Sequence, residues 1–273
     1  MKSKEMFPAI FSRNAAAYQS RLEDVMSRGE ALGRLRVIEL VEARPGMRIL
    51  DLACGPGTLT RRLAPQVAPD GEVVGVDLAP GMLDLARAVG IANATFEVMD
   101  IERLSFPDAS FDGAVCGHGI QFAPDLRRAL GEARRVVRPG ARLAASVPLA
   151  GACDPVWAVL DRVVERRLPA VPVATDQQAT RAVVMDSEKF RHAALDAGFD
   201  TANVEVIDER VRWESAGQLV SMFMSWWDCA ARMEGVDPNR RQAFSDDAIA
   251  TLEAEYPGAI ETVGRNHVLI AIA

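Results

Sequence analysis

The chain has 273 residues, 49% of them hydrophobic, enough to bury one large α/β core and a cap without dividing into independent domains. A net charge of −7, with no lysine-rich tail and no basic–aromatic alternation, argues against a nucleic-acid partner; no apolar run reaches ~18 residues, so no membrane partner and no signal core are expected. Cys54, Cys116, Cys153 and Cys229 are scattered with no C-x-x-C pair, which predicts a reducing, cytoplasmic setting and no structural zinc.

Residues 1–43 show helical periodicity, with Tyr18, Leu22, Val25 and Met26, then Leu32, Leu35, Ile38, Leu40 and Val41 spaced for buried faces. Next comes an apolar strand, Arg48 to Leu52, carrying Asp51 near its end and running into Ala53-Cys54-Gly55-Pro56-Gly57, a turn that opens a helix over Leu59 to Val67. Gly55 and Gly57 let the backbone approach a ligand, and free N–H groups at the helix start suit an anionic group. A second strand, Glu72 to Val76, ends in Asp77, 20 residues beyond Gly57, where a carboxylate can accept both ribose hydroxyls. A third, Ala94 to Met99, ends in Asp100-Ile101, and a fourth, Phe111 to Cys116, ends in Gly117-His118. In an open parallel sheet these carboxyl ends line one crevice, where ligands bind.

A helix from Asp125 to Val136 follows, then the turn Arg138-Pro139-Gly140 and a fifth strand from Arg142 to Val147. Two last strands are expected at Asn203 to Val211 and Asn266 to Ala273. The stretches at about 148–185 and 214–257 exceed what the sheet needs and are expected to form lid insertions that carry substrate choice. In the first, Asp154-Pro155 starts a helix with Val156, Trp157, Leu160, Val163 and Val164 on one face. In the second, Ser215 to Trp227 carries no charge, and Met222, Phe223, Met224, Trp226 and Trp227 point all round a helix that must be buried on every side. That cluster reads either as ordinary core or as the lining of an apolar pocket.

From about residue 45 to 147 the chain resembles the class I S-adenosylmethionine-dependent methyltransferases, in particular the ubiquinone/menaquinone-type, methyltransferase type 11-like small-molecule enzymes. Four motifs in order carry the resemblance: Asp51 to Gly57, with Ala53 where many members have a glycine; Asp77; Asp100-Ile101; and Val137-Arg138-Pro139-Gly140. It implies a Rossmann-like α/β fold with a seven-stranded sheet, order 3-2-1-4-5-7-6 and the seventh strand antiparallel. It also implies a division into a helical cap (1–43) and a methyltransferase domain (44–273). S-adenosylmethionine is the implied cofactor. Asp51 would hold its amino group directly or through water, Asp77 the ribose, and Asp100 with the Ile101 N–H the adenine. Leu78 and Met82 would sandwich that ring, and Ala53, Gly55, Gly57 and Gly117 would complete the cradle. A nicotinamide dinucleotide enzyme would want a third glycine where Thr60 stands.

Sulfonium methyl transfer needs alignment and exclusion of water. His118, at the crevice edge where relatives often carry glutamine, is the candidate catalytic base, or else a hydrogen-bonding partner of the cofactor. His192 is expected to be exposed and His267 structural. Tyr18, Gln121, Trp157, Phe223 and Trp227 are the candidate substrate-binding residues, for a small, largely apolar or aromatic biosynthetic molecule. No metal site is expected, and a homodimer is left open. The alternative is a methyltransferase-like fold that catalyses cyclisation or only binds the cofactor.

Overall fold

The computed structural model describes residues 2–149, 154–170 and 175–273. Parts of the expected insertion at 148–185, and Cys153, lie outside the described residues. The chain opens with α1 (Ser3–Arg13), α2 (Ala15–Ser27) and α3 (Leu32–Leu40). A right-handed alternation follows: β1 (Arg48–Leu52), α4 (Thr58–Val67), β2 (Glu72–Asp77), α5 (Pro80–Ala88), β3 (Ala94–Val98) and β4 (Phe111–Gly117), then a 3₁₀ turn at Ile120–Phe122, α6 (Leu126–Val136) and β5 (Val137–Pro148). Beyond it lie α7 (Pro155–Arg167), α8 (Gln178–Val184), α9 (Ser187–Asp196), β6 (Thr201–Trp213), α10 (Ala216–Ser225), α11 (Trp227–Met233), α12 (Pro238–Glu255) and β7 (Ile260–Ile272).

The strands form one sheet in the order β3-β2-β1-β4-β5-β7-β6; β1 to β5 pair in parallel, and β7 runs antiparallel between β5 and β6. This is the expected fold class. Strands β1, β2 and β4 are near-continuous apolar runs because helices cover both of their faces. On one side Val37, Leu63, Leu160, Leu219 and Phe244 draw α3, α4, α7, α10 and α12 into a common core. On the other, Leu130, Ala133, Phe190 and Ala194 bring α6 and α9 onto the sheet. Helix α6 shows why such segments fold: Asp125 accepts from the Arg128 N–H as N-cap, and Leu126, Ala129, Leu130, Ala133 and Val136 repeat every three or four residues on the buried face.

The last two strands are longer than their sequence suggests, reaching 13 residues each and pairing from Thr201↔Ile272 to Trp213↔Ile260. Their outer half reads as polar loop because its stabilising pairs are polar: Trp213 Nε1 donates to Thr262 Oγ1 at 2.9 Å, and Arg210 meets Glu261 across the strands at 2.7 Å. The single apolar helix expected from Ser215 to Trp227 is two helices, broken at Trp226, whose backbone is extended. Its indole stacks against Trp157 and Phe223, with centroids 4.8 and 5.7 Å away, and remains 38% exposed, so this segment is not buried all round.

Helices α1 and α2 rest against α5, where the Gly81 N–H donates to Ser12 Oγ at 3.2 Å. At the start of α1, Lys4 Nζ lies 2.6 Å from Asp100 and 2.5 Å from Glu102.

Candidate functional site

The turn after β1, the ends of β2 and β3 and the turn after β4 enclose a cavity of about 890 Å³ counted with its open mouth, roofed by α1 and α2. Two acids stand at one end. Asp77, ending β2, accepts from the Gly55 N–H at 2.9 Å through Oδ2 and from the Ala79 N–H at 2.8 Å through Oδ1. Burial pushes its carboxyl upward against these backbone donors. Asp100, just past β3, accepts from the Glu102 N–H at 2.9 Å and is bridged to Lys4. Between the two acids the cavity wall is apolar: Leu78, Met82 and Ile101.

At the other end the two turns press together. Ala53 and His118 both have positive φ, +51° and +61°, an uncommon conformation for residues with a side chain and one that clusters at functional sites. Gly119 allows their approach: a Cβ there would lie 2.4 Å from the Ala53 Cβ. His118 donates its backbone N–H to Ser146 O at 3.0 Å, and its own carbonyl accepts from Gln121 Nε2 at 3.0 Å. The imidazole lines the cavity, and its enclosed Nε2 has no hydrogen-bond partner among the described residues. Burial and then the positive field of Arg34 push its pKa well below the ordinary histidine value, against a smaller opposing effect of Asn266. His118 is therefore neutral near pH 7 and offers an imidazole acceptor or donor rather than a cation.

Aromatic rings close the remaining wall. Phe122, on the turn after β4, lies 4.7 Å from Phe7 and 5.5 Å from Phe11 of α1, and Phe11 meets Tyr18 of α2 edge-on at 5.8 Å. Pro8, Leu22 and Pro124 complete this apolar half.

Residues 49–140 match the methyltransferase domain family. A demethylmenaquinone methyltransferase of Symbiobacterium thermophilum is 37% identical over 139 residues, covering 49% of this chain and 55% of its own length. A ubiquinone/menaquinone biosynthesis C-methyltransferase of Ectopseudomonas mendocina is 39% identical over 145 residues, 51% of this chain and 56% of the relative. The stretch from 49 to 140 is thus similar to a methyltransferase domain. In fold the domain and its cap resemble a putative methyltransferase from Bacillus halodurans, with a TM-score of 0.55 at 19% identity over 88% of this chain and 97% of that one. The match to the curated relatives spans little more than half of their length.

The cofactor of such a methyltransferase domain, S-adenosylmethionine, can be tested against this cavity. An acid and an open glycine turn at one place, and a second acid beside an apolar slot, match a nucleoside with a polar tail. The residues fit the group.

Of the expected cradle, Ala53, Gly55, Asp77, Leu78, Met82, Asp100, Ile101 and Gly117 all line the cavity, while Asp51 and Gly57 do not. Asp51 is 1% exposed beneath the turn, where Oδ2 accepts from the Thr60 hydroxyl at 2.6 Å. Its carboxylate is turned to Thr60 and not into the cavity, so it braces the turn from behind. Gly57, with φ +76°, is the N-cap of α4, and its missing Cβ makes room for Ala86 and Phe96 at 3.2 Å, so its role is helix packing.

Among the expected substrate residues Tyr18 lines the cavity. Gln121 is buried behind it, holding the His118 carbonyl. Trp157 and Phe223 do not reach this cavity: they stack at 6.5 Å in the α7–α10 core. Trp227 is also outside it, packed edge-on against the far side of Phe7 at 5.1 Å. An aromatic cluster at helical spacing has here served packing. The sequence reading missed Phe7, Phe11, Phe122, Arg34 and Lys4; two phenylalanines four apart in a short cap helix form one face, which was the available signal. His192 is tied to its own helix through the Glu188 carbonyl, and His267 is buried against the Val184 carbonyl at 2.9 Å.

Proposed function

We propose that this protein is an S-adenosylmethionine-dependent methyltransferase acting on a small, largely apolar or aromatic biosynthetic molecule, with a helical cap over residues 1–43 supplying the acceptor side. The observation that carries the proposal is one cavity lined by an acid-and-glycine cradle, an aromatic wall, and His118, which sits in a positive-φ turn within the field of Arg34. The methyl donor supplies an activated electrophilic carbon when bound. Asp77, braced by the Gly55 and Ala79 N–H groups, would hold the ribose, and Asp100 with Leu78 and Met82 would hold the adenine. Phe7, Phe11, Tyr18 and Phe122 exclude water and orient the acceptor. His118 takes up the acceptor's proton at its ring nitrogen.

The first test is calorimetric. Titration with S-adenosylmethionine is expected to show micromolar binding and titration with NAD none; preference for NAD, or silence with both, removes the proposal. Asp77→Ala is expected to weaken S-adenosylmethionine binding about tenfold or more, the scale of lost hydrogen bonds to a charged group. Wild-type affinity in that variant refutes the ribose assignment. The relatives named above act by methyl transfer, which favours that reaction over cofactor binding alone.

A further inference from the structure

Two cationic side chains stand in the cavity wall, Lys4 and Arg34. Lys4 is neutralised by Asp100 and Glu102. Arg34, the first basic residue of α3, forms no ion pair among the described residues, and its one side-chain hydrogen bond goes to the Tyr18 hydroxyl at 3.1 Å. A guanidinium carries five N–H donors, and no carboxylate among the described residues accepts from those of Arg34, which lines the cavity. The acid within its field is Glu209 on β6, whose Oε2 already accepts from the Gly33 N–H at 3.1 Å and from Asn266 Nδ2 at 3.2 Å. Phe11, Tyr18 and Leu22 line the same cavity, so a ligand there could offer the guanidinium a partner that these side chains do not.

We infer that the acceptor molecule carries an anionic oxygen, a carboxylate or a phenolate, on its apolar frame, and that Arg34 with the Tyr18 hydroxyl receives it beside His118. The inference rests on the proposed methyltransferase reading and narrows its substrate class. Arg34 suits a planar oxyanion better than lysine would, because two parallel N–H groups can address it. Tyr18 fixes the guanidinium on one edge and can add its own hydroxyl donor to the same oxygen. A neutral acceptor would offer Arg34 no charge to pair with. This part of the cavity therefore selects for charge as well as shape.

The test uses the full chain loaded with S-adenosylhomocysteine and three probes in a calorimeter: 2-naphthoate for the carboxylate, 4-nitrophenolate for the phenolate, and methyl 2-naphthoate as the neutral counterpart. At least one anion is expected to bind about tenfold or more tightly than the neutral ester, and Arg34→Gln is expected to erase that preference while Arg34→Lys restores part of it. Which anion wins identifies the source of the charge. Equal binding of ester and anions, preference retained in Arg34→Gln, or no binding of any probe overturns the inference. S-adenosylhomocysteine affinity is read in the same experiment. Its absence strikes the methyltransferase reading, whereas its persistence without anion preference strikes this inference alone.

Discussion

Replacing His118 with asparagine is expected to lower turnover at saturating cofactor about 100-fold, or ~2.7 kcal/mol of transition-state stabilisation, while leaving S-adenosylmethionine affinity within about threefold. Asparagine is chosen because position 118 has φ +61°, which asparagine tolerates far better than alanine, so the backbone turn survives the change. The expectation rests on three properties found together in one ring. It lines the cavity, its Nε2 has no partner among the described residues, and burial with the field of Arg34 keeps it unprotonated. A neutral imidazole beside an acceptor hydroxyl is a competent base, whereas an imidazolium would only repel a sulfonium. The activity should fall on the acid side at a pH below the ordinary histidine value, and that limb should vanish in the variant. A loss under about threefold at saturating cofactor removes His118 from the chemistry.

The second large effect is on stability. Asp51 is enclosed, and burial, with a smaller push from Asp77, raises its pKa to about 7 against the pull of Thr60. A raised folded pKa means that the folded protein binds the proton more tightly than the unfolded chain does. The contribution to stability is therefore fully present below the unfolded value, near 3.8, and is lost as pH rises through about 7. At about 1.4 kcal/mol per pH unit, the ligand-free protein should lose roughly 3 kcal/mol of this contribution between about pH 5 and pH 8 relative to Asp51→Asn, which carries no titrating proton. His118 works in the opposite sense, because its depressed pKa costs stability as pH falls below the ordinary histidine value. The comparison must be made between the two proteins and not on the wild type alone. Carboxylates held low by arginines, such as Glu132 and Glu205, act only in more acid solution. Chemical denaturation at several pH values measures the difference, and parallel pH curves for the two proteins would show that Asp51 does not titrate in this window.

The sheet and the cradle were legible because both are local in sequence. Each strand that ends at the cavity is a short apolar run followed within two residues by its polar group, and the parallel order follows from the alternation of strand and helix. Asp77, Asp100 and the turn at Ala53 to Gly55 could thus be placed from spacing alone. Asp51 and Gly57 belong to the same motif yet face inward, since a turn has a back as well as a front, and spacing does not say which side a carboxylate takes. The acceptor side was far less legible. Phe7 and Phe11 reach the cavity only because α1 docks on α5 through Ser12 and Gly81, a contact between distant segments. The Trp157, Phe223 and Trp226 cluster drew attention by composition, and its rings satisfy one another instead. Arg34 looks in sequence like any solvated arginine, and only the assembled cap shows it lining the cavity, bonded to Tyr18 and to no carboxylate among the described residues.

Gly119 and Ala53 meet with no room for another methyl group, so the width of the cleft where the two turns press together is set by main chain and not by a side chain at 119. A side chain at that position would have to displace Ala53. The roof, by contrast, comes from two short helices, α1 and α2, set against α5. Exchanging that roof would therefore change the wall of the cavity while leaving the close turn between Ala53 and Gly119 as it is.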